Sequence, residues 1–108
     1  MDLVTKRFSV YLVKLDPAVG SEMQKTRPCA VVSPESMHRF LHTVIIIPMT
    51  TGRTAWPTRV PCVFNGREGE LAIDQIRSVD RSRLRKEIGR LAASTVEDLK
   101  SALQSFFQ

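Results

Sequence analysis

Thr43–Thr50 reads Thr-Val-Ile-Ile-Ile-Pro-Met-Thr and is the most strand-like stretch of the 108-residue sequence. Its apolar run, residues 44–49, is six residues long. A helix needs roughly 20 apolar residues to cross a bilayer, whereas a short apolar run is typical of a buried strand. We therefore predict a β-sheet protein that is built around residues 43–50 and has no membrane span.

Two further strands are predicted on the N-terminal side. Residues 7–15 alternate in part between apolar and other side chains, and residues 29–33 form a short apolar run. Residues 16–28 contain two prolines, one glycine and mixed charges without periodicity, which predicts a long exposed loop. Loops of that length in a compact domain usually carry function. Residues 34–36 begin a connection that we expect to contain one helical turn.

On the C-terminal side the short strands continue. Residues 52–57 form a predicted loop and residues 60–64 a fourth strand. The dipeptide Asn65-Gly66 is a hairpin signal that joins this strand to residues 70–73. The order of these segments predicts a β meander.

The chain ends in a predicted amphipathic helix. Residues 78–83 are polar and are expected to hold a short helical turn before a last strand at residues 87–91. Ser94 and Glu97 have the spacing of a capping box. Apolar residues then recur at helical spacing: Val96, Leu99, Ala102, Leu103 and Phe106. The predicted fold is mainly β (α+β), with five to six or more short strands in a strongly bent sheet or partly open barrel and one C-terminal helix.

Size and charge limit the possible functions. A chain of 108 residues with 43% hydrophobic content predicts a single domain over residues 1–108. A net charge of +5 and a pI near 9.8 favour a polyanionic partner such as nucleic acid, although a solvated basic surface would have the same composition. The N-terminus lacks a secretory signal pattern, so we expect a cytoplasmic protein.

The cysteines and histidines do not indicate a metal or a cofactor. Cys29 and Cys62 lie in apolar segments without a CxxC pattern, and we interpret both as buried thiols. His38 and His42 are four residues apart with no acidic partner motif, so no metal site is expected. Both histidines lie beside the predicted helical turn, and we interpret them as surface or connecting residues.

Arg27 is the first candidate for chemistry. It precedes Pro28, and the residue before a proline is biased towards an extended backbone, which restricts the direction of its side chain. A guanidinium can donate two parallel hydrogen bonds to a phosphate and can stabilise a phosphorane-like transition state. Taken alone, the composition favours a plainer role, in which Arg27 pairs with Glu22 or caps loop carbonyl groups.

Other polar side chains end or interrupt apolar strands. Thr50 and Thr51 close the central strand, where a hydroxyl can donate to a phosphate oxygen, although threonine is equally a good strand former. Asp74 and Gln75 interrupt an apolar segment, and a half-buried Asp74 would need a partner, which favours a structural role. Trp56 is the aromatic residue best placed to stack on an unpaired base, but it could also fold onto the core or enter a dimer interface.

A basic run lies between residues 81 and 90. It contains a single acid, Glu87, among five cations: Arg81, Arg83, Arg85, Lys86 and Arg90. Such a run can track a phosphate backbone or form a solvated face, and the sequence favours neither.

Four motifs together resemble the MazF/PemK family of toxins. They are Leu-Asp-Pro-x-x-Gly-Ser-Glu-x-x-x-x-Arg-Pro at residues 15–28, Val-Ser-Pro at 32–34, Pro-Met-Thr-Thr at 48–51 and Asp-Gln-Ile-Arg-Ser-Val-Asp-x-x-Arg-Leu at 74–84. Residues 88–91, Ile-Gly-Arg-Leu, look like the family's closing strand, so the resemblance covers almost the whole chain. In one departure, Phe8 and Ser9 stand where family members usually begin the first strand with Gly-Asp.

This resemblance implies an SH3-like barrel, a homodimer, and a toxin of a type II toxin–antitoxin system that cleaves single-stranded RNA without a metal. We expect the cognate antitoxin to carry an acidic, disordered segment. By position, the resemblance assigns catalysis to Arg27 and Thr50 and implicates Glu22 in activity. Asp74 and Gln75 match a pair near the dimer interface and substrate groove. The predicted substrate-binding residues are Thr51, Trp56, Asp74, Gln75, Arg77, Arg83, Arg85 and Lys86.

The expected reaction is an attack of the ribose 2′-hydroxyl on the neighbouring phosphate, which gives a 2′,3′-cyclic phosphate and a 5′-hydroxyl. Arg27 would stabilise the phosphorane, Thr50 would bind a phosphate oxygen or assist proton transfer, and Glu22 or Asp74 could be the base. The alternative class is a non-catalytic module of the same fold that binds RNA or inhibits a protein target. A weaker alternative is a ribonuclease that uses His38 and His42.

Overall fold

The computed structural model describes residues 5–108, and most of the ordered elements in this range are strands. The strands are β1 (Ser9–Lys14), β2 (Thr26–Val31), β3 (Thr43–Thr50), β4 (Arg59–Phe64), β5 (Arg67–Ala72), β6 (Arg77–Asp80) and β7 (Leu84–Arg90). The helices are α1 (Glu35–His38) and α2 (Ala93–Phe106), and short 3₁₀ turns cover Ile73–Gln75 and Arg81–Arg83. Among the helices in this range, none is long and apolar enough to cross a membrane.

The strands form one antiparallel sheet in which β3 is the central strand. The order along the sheet is β4-β5-β3-β2-β1-β7. β2 covers one edge of β3, with pairs such as Ala30 and Ile47. The other edge is shared, because β6 pairs with residues 43–46 and β5 pairs with Met49 and Thr50. β3 therefore connects two parts of the sheet through one continuous strand.

Both faces of β3 are buried, which explains its unbroken apolar sequence. Ile47 packs in one hydrophobic cluster and Ile46 in the other. α2 covers the first cluster and contributes Leu99 to it. The second cluster includes Leu15, which follows β1, and Met23 of the β1–β2 connection packs against it. The sheet thus separates two cores.

Much of the sequence-based prediction is confirmed. β3 has the predicted bounds, α1 is the expected helical turn, and the fold is mainly β with a C-terminal helix. The SH3-like class is also confirmed, with the sheet left open between its edge strands β4 and β7. Cys29 and Cys62 are buried free thiols, as predicted.

The predicted simple meander is wrong. The hairpin of β4 and β5 forms as expected, but β5 and not β4 pairs with β3. After the 3₁₀ turn Ile73–Gln75, the chain forms strand β6, which pairs with the same edge of β3 as β5 does. Most of β6 lies in residues 78–83, where only a helical turn was expected.

Some predicted boundaries are also wrong. β2 begins at Thr26, so the loop predicted at residues 16–28 ends earlier, and β7 begins at Leu84. Ser94 is not the N-cap of α2, because the helix begins at Ala93 and its N-cap Ala92 makes no side-chain hydrogen bond. Ser94 therefore lies inside the first turn of the helix, where it cannot act as the N-cap of a capping box.

The two edge strands approach each other where Gly89 of β7 meets Phe64 of β4. Gly89 has a φ of 152°, which residues with a side chain rarely adopt. A Cβ atom on Gly89 would lie 2.9 Å from Cζ of Phe64, closer than real contacts allow. Gly89 also borders a register shift between β1 and β7, and such irregularities bend a sheet. The glycine therefore lets the edges of the bent sheet come together.

We predict that Gly89→Ala lowers the free energy of unfolding by about 2–3 kcal/mol, because it adds backbone strain and displaces the ring of Phe64. Urea titration measures the change. Gly66→Ala is the control, since Gly66 has a φ of 77° but a Cβ there would meet no atom within 4 Å. Equal losses in the two variants would argue against the contact with Phe64.

Candidate active site

A cavity of about 390 Å³ opens between β2, β3 and the β4–β5 hairpin. Three of the residues predicted for function line it: Arg27, Thr50 and Thr51. The other lining residues are Gln24, Lys25, Thr26, Pro28, Met49, Cys62, Phe64, Arg67, Glu68 and Gly69. The cavity thus combines cations and hydroxyl groups with an apolar wall.

Strand register explains why Arg27 and Thr50 meet. Cys29 of β2 pairs with Pro48 of β3, and the same register continued by two residues brings Arg27 level with Thr50. Residues directly opposite each other in an antiparallel pair lie on the same face. Arg27 also pairs with Val13 of β1. It therefore lies on an interior strand rather than in the mobile loop that the sequence predicted.

The guanidinium of Arg27 is only partly engaged by the protein. Its Nε donates a hydrogen bond to the carbonyl oxygen of Gln24 at 3.2 Å. Glu22 instead accepts a hydrogen bond from the backbone N–H of Val19 at 2.7 Å, so the ion pair between Arg27 and Glu22 is absent while the loop-carbonyl contact is present. Within the described residues, the terminal amino groups of Arg27 have no protein partner. These amino groups are therefore available to bind an anion.

Thr50 presents an oriented hydroxyl beside this guanidinium. Its Oγ1 accepts a hydrogen bond from the backbone N–H of Gly52 at 3.2 Å. Since a hydroxyl carries one donor hydrogen, that hydrogen can still be donated to a ligand oxygen. The pair therefore offers a fixed positive charge and a neutral donor.

The far wall of the cavity comes from the β4–β5 hairpin, which the sequence did not indicate as part of the site. Phe64 pairs with Arg67 across the hairpin, so an aromatic ring and a guanidinium lie side by side in the cavity wall. Lys25 adds another cation, and Glu68 forms a half-exposed ion pair with Arg53 at 3.2 Å. The Asn65-Gly66 signal could have located Phe64 and Arg67, because it fixes which residues of the two strands face each other.

The cysteine in the cavity is not an activated nucleophile. Burial raises the pKa of the Cys62 thiol above its ordinary value of 9.0. Burial likewise raises the pKa of Cys29, to about 12. Only the thiolate is a strong nucleophile, so both side chains remain in their unreactive form near neutral pH.

Glu22, Asp74, Gln75 and Arg77 lie apart from Arg27 and Thr50, in a separate recess beside the β1–β2 connection. Gln75 Oε1 accepts a hydrogen bond from the backbone N–H of Met23 at 3.1 Å. Arg77 donates to the carbonyl oxygen of Leu15 at 3.4 Å. In this structure Gln75 and Arg77 therefore brace the connection.

Asp74 and Trp56 belong to a cluster around Arg59. Asp74 accepts hydrogen bonds from Nε of Arg59 at 2.7 Å, from its Nη2 at 3.2 Å and from the hydroxyl of Thr58 at 2.9 Å. The hydrogen bonds from Arg59 hold the pKa of Asp74 below its ordinary value of 3.8. The Arg59 guanidinium also lies 4.8 Å from the centre of the Trp56 ring, and Trp56 is 55% exposed. Neither Asp74 nor Trp56 lines the cavity.

The predicted basic run lies outside the cavity as well. Arg83 donates to the carbonyl oxygens of Lys14, at 3.1 Å, and Asp16. Arg85 donates to the carbonyl oxygen of Ser82 at 3.2 Å, and Lys86 is exposed on β7. Arg83 therefore supports the start of the β1–β2 connection, while the other two form an exposed face.

The histidines are not grouped for catalysis. His38 is buried, which corrects its interpretation as a surface or connecting residue: its ring nitrogens contact the carbonyl oxygen of Thr5 and the hydroxyl of Ser33. His42 is exposed, and neither histidine lines the cavity. Within residues 5–108, no three His, Cys, Asp or Glu side chains are grouped as ligands of a metal ion.

The chain is similar to known toxins along nearly its whole length. The family described as PemK-like, MazF-like toxin of type II toxin–antitoxin system matches residues 6–107. Endoribonuclease EndoA of Bacillus subtilis is 31% identical over 108 residues, which cover 94% of this chain and 93% of EndoA. The crystal structure of MazF from Deinococcus radiodurans has a TM-score of 0.85 at 24% identity and covers 98% of each chain. A MazE–MazF crystal structure from the same organism has a TM-score of 0.79 at 24% identity, with 98% of this chain and 97% of that chain covered.

We predict that Asp74→Asn lowers the free energy of unfolding at pH 7 by about 1 kcal/mol, the usual upper size for a partly exposed ion pair. Because folding lowers the pKa of Asp74, its contribution is fully present above pH 3.8 and is lost as the pH falls through the lowered value. Urea titrations at pH 7 and pH 3 should show the difference from wild type shrinking in acid. Asp98→Asn, an exposed change on α2, is the control. A pH-independent difference for Asp74→Asn would contradict the prediction.

Proposed function

Because the chain belongs to the PemK-like, MazF-like family of toxins of type II toxin–antitoxin systems, we propose that it is a sequence-specific endoribonuclease that cleaves single-stranded mRNA without a metal. The observation that carries this proposal is the meeting of Arg27 and Thr50 at one cavity. The endoribonuclease EndoA, similar over nearly the whole chain, supports the same activity.

The substrate supplies the nucleophile in this reaction. The ribose 2′-oxygen forms a bond to phosphorus as its proton leaves, and the bond from phosphorus to the 5′-oxygen breaks as that oxygen gains a proton. The products are a 2′,3′-cyclic phosphate and a 5′-hydroxyl. The terminal amino groups of Arg27 bind the non-bridging oxygens, whose charge grows in the phosphorane, and the Thr50 hydroxyl donates to one of them.

Proton transfer is not assigned to the acids that the sequence suggested. Glu22 is bound to the backbone of Val19, and Asp74 is bound to Arg59, both outside the cavity. In this scheme the Thr50 hydroxyl binds the reacting phosphate. It is therefore our candidate for assisting the movement of the proton.

The apolar wall of the cavity suits a nucleobase next to the scissile phosphate. A phosphate needs only the charged end near Arg27, whereas Met49, Cys62 and Phe64 present apolar surface. Aromatic rings bind unpaired bases by stacking, and a base in a duplex is not available for this contact. Thr51, Lys25 and Arg67 then hold neighbouring groups of the RNA strand. This arrangement favours single-stranded RNA.

The proposed partners follow from charge and from the family. MazE bound to a MazF of the same fold supports a cognate antitoxin for this chain. A net charge of +5 favours an acidic segment, which would be disordered alone and would fold along the basic surface to exclude RNA. We further propose that the chain acts as a homodimer in the cytoplasm, where its mRNA substrate occurs.

Arg27→Ala should lower RNA cleavage by about 100- to 1,000-fold, the effect of removing one preorganised donor from an anionic transition state. The assay follows discrete fragments of a long RNA, with circular dichroism and mass measurements to check fold and assembly. Arg39→Ala, an exposed arginine beside α1, is the matched control and should keep full activity. Full activity in Arg27→Ala would remove the proposed role, and RNA that wild type binds but leaves intact would favour the binding-module alternative.

Cleavage should be unchanged in excess EDTA, because the proposed chemistry uses no metal ion. Mapping of the product ends should find 2′,3′-cyclic phosphates and 5′-hydroxyls, and sequencing of the 5′ ends would give the recognised RNA word. Activity that EDTA abolishes and magnesium restores would indicate a different nuclease mechanism.

A further inference from the structure

A buried carboxylate, Glu70, lies beside the candidate active site without taking part in the reaction proposed above. Glu70 is only 1% exposed and is the residue of β5 that pairs with Thr50 of β3. Burial of a carboxylate is unfavourable unless its oxygens are hydrogen-bonded and its charge is compensated. Its contacts therefore indicate what the residue does.

Both oxygens of Glu70 bind the loop that follows Thr50. Oε2 accepts hydrogen bonds from the backbone N–H groups of Thr54 at 3.0 Å and Ala55 at 3.1 Å, and Oε1 accepts one from the Thr54 hydroxyl at 3.1 Å. Arg59 compensates the charge, with its Nη1 3.7 Å from Oε1. Ala55 has a φ of 58°, a left-handed conformation that alanine adopts only when other contacts maintain it. The carboxylate thus holds Thr54 and Ala55, in the middle of the loop formed by residues 51–58.

The loop and β5 in turn fix the position of Thr50. Gly52, at the start of the loop, donates its N–H to Oγ1 of Thr50. On β5, a Cβ atom on Gly69 would lie 2.3 Å from the carbonyl oxygen of Thr50, so the two backbones approach as closely as glycine allows. A shift of the loop would therefore move the Thr50 hydroxyl relative to Arg27.

We infer that Glu70 is a positioning residue for RNA cleavage, which acts through residues 51–58 on the hydroxyl of Thr50 and does not contact RNA. This inference rests on the proposed endoribonuclease function. A displacement of about 1 Å at a reacting centre costs roughly 100-fold in rate. Of the proposed RNA contacts, those of Lys25 and Arg67 lie outside this loop and only that of Thr51 lies at its start, so the loss should appear mainly in kcat rather than in KM.

Glu70→Gln tests the inference, because it keeps the side-chain volume but replaces one acceptor oxygen with an amino group that cannot accept from N–H donors. We expect kcat to fall by about 10- to 100-fold and KM to change by less than about threefold, with an unchanged circular dichroism spectrum. Thr54→Val removes the hydroxyl contact with Glu70 and the long hydrogen bond of 3.5 Å from the Trp56 backbone N–H, but it keeps both backbone donors to Glu70 and should lower kcat less. Asp80→Asn is the matched control: this carboxylate also accepts a backbone hydrogen bond, from Ser82 at 2.9 Å, but lies at the other end of β3, so kcat should be unchanged.

Trp56 provides a second readout, since it is the only tryptophan of the sequence and lies in the same loop. Its emission should shift to longer wavelengths in Glu70→Gln and stay unchanged in Asp80→Asn. Normal kcat in Glu70→Gln would overturn the inference and leave the proposed function intact, whereas an inactive wild type would overturn both. If Glu70→Gln does not fold, unchanged kcat and emission in Thr54→Val would overturn the inference.

Discussion

The pairing of β3 along both edges is the constraint on which the rest of the structure depends. β3 is also buried on both faces, so the sheet holds the backbone of its last residues, while the orientation of the Thr50 hydroxyl depends on the loop that follows. Thr50 ends this strand, and Arg27 lies near the start of the neighbouring strand β2. Both candidate catalytic side chains therefore project from interior strands of the sheet. Donors fixed in this way need little reorganisation when charge develops on a substrate.

The basic charge of the protein is divided between two uses. Several arginines bind carboxylates or carbonyl oxygens of the protein itself: Arg59, Arg77, Arg81 and Arg83. Arg27, Lys25 and Arg67 instead line the cavity, and the terminal amino groups of Arg27 have no partner among residues 5–108. Net charge therefore overstates the number of cations that can bind a phosphate. Several of the positive side chains instead support the connection between β1 and β2, and Arg59 binds Asp74 and Glu70.

Local pattern predicted most of the elements, and the family resemblance supplied Arg27 and Thr50, but neither predicted the partners that come from distant parts of the chain. The apolar run predicted the bounds of β3, and the motifs shared with the MazF/PemK family singled out Arg27 and Thr50. Gln75 contacts Met23 and Arg83 contacts Lys14 across 52 and 69 residues, contacts that no local periodicity encodes. The hairpin wall was missed for the same reason, since only the pairing of β5 with β3 places it opposite Arg27.

The composition of the cavity also explains why the proposed chemistry is confined to RNA. Its thiol is kept protonated by burial, its carboxylate Glu68 is paired with Arg53, and no histidine lines it in the part of the chain described. A site of this kind stabilises charge well but has no activated nucleophile of its own. In the proposed reaction the nucleophile therefore comes from the bound strand, as the ribose 2′-hydroxyl. DNA lacks that hydroxyl, so single-stranded DNA could occupy the same cavity without being cut.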